Sequence, residues 1–154
     1  MMTSAEVTMA RAYLFKAVPS LPANGMSVIG TIDFGLDGDF IGINGTIVGL
    51  TPGQHNFHVH QYGDMNHGCA AEGPIFNPTQ INPNNYMSLA GNIGPVMANS
   101  NGVAYVNLQS SILTFNGQNS VIGRGLMVHE IVSNPNDFPG TPFGCGVIGI
   151  VNEK

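Results

Sequence analysis

The chain has very little charge. Its 154 residues include four Lys plus Arg and nine Asp plus Glu, so charged side chains make up 8% and the formal net charge is -5. Soluble domains usually have about a quarter of their residues charged, so Asn, Gln, Ser and Thr must supply most of this polar surface. With so few Lys and Arg residues, the chain has no basic patch that could bind a phosphate backbone. We therefore expect no nucleic-acid partner.

Long apolar runs are also missing, since none approaches the ~20 residues that a membrane helix needs. The first residues place Arg11 and Lys16 around only a short apolar stretch, which does not read as a signal peptide. We expect no membrane partner and a cytoplasmic location. A chain of this length fits one domain, over residues 1–154, in which residues 1–9 could be disordered.

Cysteine is scarce, with Cys69 and Cys145 far apart in sequence. A bridge between them would close a large loop and stabilise the fold by roughly 4 kcal/mol in the chain-entropy treatment. Cytosolic proteins usually keep their thiols reduced. Spacing alone therefore leaves a disulfide and two reduced core thiols as equal alternatives.

Sustained helical periodicity is absent, and short alternating runs take its place. These runs are rich in Val, Ile and Phe and cover residues 28–34, 45–50 and 103–108. Turns are indicated by the dipeptides Asp37-Gly38, Asn44-Gly45, Asn101-Gly102 and Asn116-Gly117. This rhythm predicts an antiparallel sandwich or barrel. Residues 63–95 and 131–144 break it and are expected to form long functional loops.

Three of the five histidines, His55, His58 and His60, fall within six residues. Side chains two apart on a strand project from the same face, so His58 and His60 can offer two nitrogens to one metal. His129, in a separate apolar run, could complete a set of three imidazoles, which suits copper or zinc. An isolated His-x-His is a weak signal, and core or surface histidines explain it more often.

Several motifs in this order resemble the copper/zinc superoxide dismutase family over nearly the whole chain. They are Asn56-Phe57-His58-Val59-His60, Tyr62-Gly63-Asp64, Gly68-Cys69, Gly73-Pro74-Ile75-Phe76-Asn77-Pro78, residues 123–130 and residues 145–150. The resemblance implies an all-β fold, an eight-stranded Greek-key barrel with two long functional loops. It also implies copper at His58, His60 and His129, a structural role for His55, and a disulfide between Cys69 and Cys145.

The departures from the family pattern bear on activity. Ile75 stands where the family has the histidine that bridges copper and zinc, and Pro142 stands where it has the catalytic arginine. Isoleucine has no lone pair and can neither ligate a metal nor pass a proton. The zinc-ligand positions fall near Pro83, Leu89 and Asn92, so zinc is not expected there.

The resemblance therefore assigns no catalytic residue, and three side chains of the first long loop could compensate as copper ligands. His67, Met65 and Met87 are candidates, since thioether sulfur suits Cu(I). Solvated loop side chains are the commoner interpretation. The loop from His129 to Cys145 contains no Lys or Arg, so electrostatic steering of an anion should be weak.

Three functions remain open. The chain could be a copper-dependent superoxide dismutase of reduced activity, which converts superoxide to oxygen and hydrogen peroxide. It could be an inactive copper-binding module or decoy that engages a copper chaperone or a dismutase subunit. A metal-free relic is the third alternative, which has to explain why three copper histidines persist. The resemblance also implies a homodimer through residues 146–150, 62–63 and 122–123.

Overall fold

The computed structural model describes residues 6–17, 27–134 and 137–152. These residues form an all-β fold with two short 3₁₀ helices, Ala70–Glu72 and Tyr86–Ser88. The strands are β1 (Met9–Lys16), β2 (Val28–Asp37), β3 (Phe40–Ile47), β4 (Gly53–His55), β5 (Phe57–His60), β6 (Asn66–Cys69), β7 (Val96–Ala98), β8 (Ala104–Ser110), β9 (Gly125–His129), β10 (Pro142–Val147) and β11 (Gly149–Ile150).

Nine strands form one antiparallel path in the order β4-β7-β8-β3-β2-β1-β10-β9-β5, and β11 pairs with β1. The two ends of this path, β4 and β5, are separated in sequence by Asn56 alone. The segment from Gly53 to His60 therefore runs from one edge to the other and nearly closes the barrel. Counted as one strand, it gives the eight strands expected, and the all-β, dismutase-like barrel is confirmed.

The barrel core follows the alternation seen in the sequence. In β1, Ala10, Ala12 and Leu14 are fully buried, whereas Tyr13 between them is half exposed. The largest fully buried side chains include the aromatic residues Phe34 and Phe57. Each large apolar side chain removed from water stabilises the fold by about 1.5–3 kcal/mol, so these inward rows fix which face of each strand points to the core.

The turn predicted at Asn44-Gly45 is wrong. Gly45 lies inside β3 and pairs with Ile32 of β2 and Val106 of β8. A Cβ atom on this residue would collide with the carbonyl oxygen of Thr31, so glycine is present to allow close backbone approach. The other three dipeptides do mark turns, and their glycines have φ values of 63°, 77° and 71° at Gly38, Gly102 and Gly117.

A disulfide joins Cys69, the last residue of β6, to Cys145 in β10, with Cα atoms 5.7 Å apart. It decides between the two alternatives that spacing left open. Because β6 lies in the first long loop, the bond attaches that loop directly to the barrel wall. Met127 of β9 packs with the two cysteines in a small buried cluster.

The expectation of disorder over residues 1–9 falls mostly on residues 1–5, which lie outside the described part of the chain. β1 begins at Met9. Within the described ranges, no helix is long and apolar enough to cross a membrane.

We predict that the double variant Cys69→Ala/Cys145→Ala loses about 4 kcal/mol of unfolding free energy, because the bond closes a long loop in the unfolded chain. Urea unfolding monitored by far-UV circular dichroism measures the loss. Wild-type protein unfolded in the presence of a reductant serves as the control and should approach the variant. A difference below about 1 kcal/mol, the size of an ordinary point substitution, would contradict the prediction.

Candidate metal centre

The pairing of β5 with β9 brings three histidines together. His58 and His60 lie in β5, opposite Met127 and Gly125 of β9, and His129 is the last residue of β9. Alternation along β5 directs Phe57 and Val59 into the hydrophobic core. The two histidines therefore share the opposite face, as the sequence predicts.

The three imidazoles form a compact buried group. His58, His60 and His129 are 0%, 4% and 1% exposed, and one ring nitrogen from each lies within 4.8 Å of the others. Metal–imidazole bonds of about 2.0–2.1 Å would place three nitrogens about 3.5 Å apart in a trigonal arrangement. Small side-chain rotations would suffice to reach that spacing.

Backbone carbonyls orient two of the rings. His60 Nδ1 lies 2.8 Å from the carbonyl oxygen of Gly73, and His129 Nδ1 lies 3.0 Å from that of Gly140. A carbonyl oxygen only accepts, so each Nδ1 donates and each Nε2 presents a lone pair to the centre. His60 Nε2 is buried with no hydrogen-bond partner in the described structure, as expected of a metal ligand.

The ring of His58 is held differently. Its Nδ1 lies 3.2 Å from His129 Nε2, and since the latter carries a lone pair, His58 Nδ1 must donate the hydrogen bond. Binding a metal through Nδ1 would move that proton to His58 Nε2, which is buried and has no described partner. The ring of Phe138 packs 5.5 Å away. Three imidazoles fit a metal here, but the outer support of His58 is incomplete.

Burial keeps these histidines neutral. It lowers the pKa of His58 to about 2, with further lowering by the neighbouring His129 and His60. Burial also lowers the pKa of His129 to about 4, against a smaller opposing effect of its hydrogen bond to Gly140. The pKa of His60 is lowered by burial as well. Neutral imidazole is the form that binds a metal ion.

His55 lies outside this group. Its Nδ1 is 2.6 Å from the carbonyl oxygen of His129 and its Nε2 is 2.7 Å from that of Thr51. Both ring nitrogens thus contact backbone, so His55 ties the loop before β4 to the end of β9 immediately behind the histidine group.

The structure does not bring the candidate compensating ligands to the centre. His67 is exposed on β6, where its Nε2 lies 3.2 Å from Asn66 Nδ2. Met87 is 82% exposed, and Met65 packs against the cluster of Cys69, Met127 and Cys145. Among the described residues, the three-histidine group is the one set of His, Cys, Asp or Glu with metal-binding spacing.

The residues that depart from the family pattern lie next to the histidine group. Ile75 forms an isolated β-bridge with His60, and Pro142 begins β10 opposite His129. Ile75, Pro83 and Leu89 line one cleft beside His60. That the family's zinc ligands are absent from this region stays a prediction.

Glu72, which the sequence did not single out, is buried beside the centre. It is 0% exposed, and neither carboxylate oxygen has a hydrogen-bond partner in the described structure. Burial raises its pKa to about 10, so the group is a neutral acid at pH 7. A Cβ atom at Gly125 would collide with this carboxyl group. In the sequence, this buried acid could have been recognised only by pairing Glu72 with Gly125, which lies 53 residues away.

Comparisons with known proteins agree with this geometry. The family model described as copper/zinc superoxide dismutase (SODC) matches residues 28–148. The chain belongs to the copper/zinc superoxide dismutase family. It is 33% identical to an extracellular superoxide dismutase [Cu-Zn] of Caenorhabditis elegans, over 98% of this chain and 73% of that protein. It is also 33% identical to an extracellular superoxide dismutase [Cu-Zn] of Haemonchus contortus, over 95% of this chain and 86% of that protein.

A solved structure agrees as well. The crystal structure of the clock protein EA4 superimposes with a TM-score of 0.80 at 28% identity, covering 98% of this chain and 99% of that one. The fold expected from the resemblance is therefore shared with a solved protein over almost its whole length.

The expectation of a cytoplasmic location is wrong. The worm relatives are named extracellular superoxide dismutases, which points to secretion. The expectation rested on the opening residues, and these do not report the compartment in which the folded domain works.

We predict that Glu72→Gln reduces the pH dependence of stability. Glu72 has a raised pKa in the folded state, so its contribution is fully present below the ordinary value of 4.5 and is lost as pH rises toward 10. At pH 7 the buried acid should cost on the order of 3 kcal/mol, which glutamine avoids. Urea unfolding at pH 5 and pH 8 should therefore show the variant gaining stability over wild type as pH rises.

The matched control is Glu6→Gln, which removes an exposed carboxylate. It should follow wild type at both pH values. A Glu72→Gln variant that also follows wild type would show that the carboxyl group ionises freely in the folded protein.

Proposed function

We propose that this chain is an extracellular, copper-binding dismutase-like protein that disproportionates superoxide to oxygen and hydrogen peroxide with reduced activity. The observation that carries the proposal is the group of three buried imidazoles, whose nitrogens converge within 4.8 Å. Family membership supports copper as the metal and superoxide as the substrate class, and the neutral imidazole rings are in the form that binds a metal ion.

His58, His60 and His129 would hold the copper ion. Bound copper would supply one-electron chemistry, in which one superoxide is oxidised to oxygen and a second, with two protons, is reduced to hydrogen peroxide. Gly73 and Gly140 accept hydrogen bonds that hold the rings of His60 and His129 in place. The protein thus orients two of the three proposed ligands for metal binding.

Reduced activity follows from what surrounds this set. Ile75, at the bridging position beside His60, has no proton to give, so solvent would have to supply the protons. Pro142, opposite His129, offers no charge to hold an anion. Glu130 and Asp137 line a second, polar cleft that opens beside Gly140. A protein of net charge -5 with acidic groups near its site should attract superoxide poorly.

A second candidate is a copper-binding module without useful turnover, and its partner would be a copper chaperone or a dismutase subunit. The unpartnered Nε2 of His58 and the loss of the bridging histidine favour it. The relic alternative ranks lowest, since three converging imidazoles are expensive to bury without a metal.

Assembly as a homodimer forms part of the proposal. Tyr62, Val147 and Ile150 are 52%, 38% and 63% exposed, and they lie on the segments through which the resemblance implies dimer contact. Apolar side chains exposed together often indicate an interface.

We predict that copper-loaded protein consumes superoxide in a copper-dependent manner. Pulse radiolysis measures the rate, and elemental analysis of the same sample should give about one copper ion per chain. After unbound copper is removed by gel filtration, His129→Ala should retain little copper and consume superoxide no faster than buffer alone. His67→Ala, the matched change at an exposed histidine, should keep both. Bound copper without turnover would instead establish the binding module.

We also predict that Pro142→Arg raises the rate on the order of tenfold at low ionic strength, because a cation opposite His129 would attract the anionic substrate. The gain should shrink as salt screens the charge. Pro142→Gln is the matched neutral control and should leave the rate near that of wild type. An equal gain in both variants would show that the strand change, not the charge, matters.

A further inference from the structure

A cleft of about 860 Å³ opens beside His60, between the first long loop and the segment that contains Phe138. Its volume lies in the range of about 300–1,000 Å³ that is typical of sites for small organic molecules. It is far larger than a diatomic anion requires. The apolar wall of this cleft includes Ile75, Phe76 and Leu89.

The cleft contains a single charged side chain, Arg124, and no Asp or Glu among the described residues that line it. This is unusual in a chain of net charge -5. The guanidinium is fixed, because Nε donates to the carbonyl oxygen of Ser120 at 2.9 Å and Nη1 donates to that of Gln61 at 3.0 Å. It also lies over the ring of Phe76, 4.1 Å from the ring centroid.

Two donors of Arg124 are thus used to hold it, and Nη2 has no hydrogen-bond partner in the described part of the chain. A guanidinium provides five N–H donors in a fixed plane, and a preorganised arginine suits a carboxylate. Since Arg124 lines the cleft, its remaining donors can serve an anion there.

An aromatic pair forms another part of the wall. Tyr86 stacks on Phe138, with ring centroids 3.9 Å apart and an interplanar angle of 28°. Tyr86 remains 37% exposed, so a planar ligand can contact it. The stacked rings and the aliphatic side chains thus line the same cleft and offer apolar contacts to a flat group.

We propose that this cleft binds a small aromatic carboxylate, with its carboxylate on Arg124 and its ring among Ile75, Leu89 and Tyr86. The positive charge of Arg124 favours an anionic ligand, and the apolar wall favours a ligand with an apolar ring. The occupant would lie against His60, next to the proposed copper ligands. Binding itself needs no metal, so this site stands independently of the proposed dismutase function.

The test is a titration of ¹⁵N-labelled full-length protein with sodium benzoate, followed by two-dimensional ¹H–¹⁵N NMR. Both metal-free protein and diamagnetic Cu(I)-loaded protein are used, with copper content measured separately. We expect saturable shifts at the amides of Ile75, Gln118 and Arg124 with a dissociation constant on the order of 1 mM, as suits so small a ligand. Benzamide, the neutral isostere, should bind at least about tenfold more weakly.

Variants locate the site. Arg124→Gln should weaken benzoate binding about tenfold or more, whereas Lys16→Gln, which removes an exposed cation on β1, should leave it unchanged. Because Arg124 also holds backbone, Ile75→Trp provides a second variant that replaces part of the proposed apolar contact surface with a bulkier side chain and leaves the arginine intact. It should change the affinity for benzoate while the spectrum stays that of a folded protein.

Absence of saturable shifts at 20 mM benzoate, about twentyfold above the expected constant, would overturn the proposal. Equal affinity for benzamide, or unchanged binding in Ile75→Trp, would overturn it as well. Failure of the protein to bind copper would overturn the dismutase proposal alone, because benzoate binding is measured on the metal-free chain too.

Discussion

The antiparallel pairing of β5 with β9 is the contact on which the candidate centre depends. Phe57 and Val59 of β5 are fully buried in the barrel core, and this burial fixes the register against β9. A slip of one residue would turn every side chain of β5 to the opposite face. The hydrophobic core therefore positions His58 and His60, and the same pairing places His129 beside them.

Barrel closure and loop attachment complete the arrangement. The segment from Gly53 to His60 contributes to both edges of the sheet, so the histidines sit where the barrel closes. The first long loop delivers the carbonyl of Gly73, and the second delivers that of Gly140. The Cys69–Cys145 bond attaches the first loop to β10. The first loop, which has little regular structure, is thereby held to the barrel close to the carbonyl that orients His60.

One side of the centre departs from a metal-binding design. Ile75, Pro83 and Leu89 line a cleft there, and none of these side chains can ligate an ion. The cleft combines an apolar wall with one charged side chain, Arg124, which hydrogen bonds to two backbone carbonyls hold in place.

The sequence by itself determined the strand pattern, three turns, and the two-residue spacing of His58 and His60, because these are properties of neighbouring residues. Family resemblance added the pairing of Cys69 with Cys145. The turn predicted from the dipeptide Asn44-Gly45 is wrong, because Gly45 lies within a strand and allows the neighbouring backbone to approach closely. The cytoplasmic location predicted from the opening residues is wrong as well. Only the tertiary structure decided that Glu72 is buried, that His58 and His60 each keep a ring nitrogen without a hydrogen-bond partner among the described residues, and that a cleft forms beside Arg124. Each of these depends on residues distant in sequence, whose proximity and desolvation arise when the barrel closes and the loops fold over it.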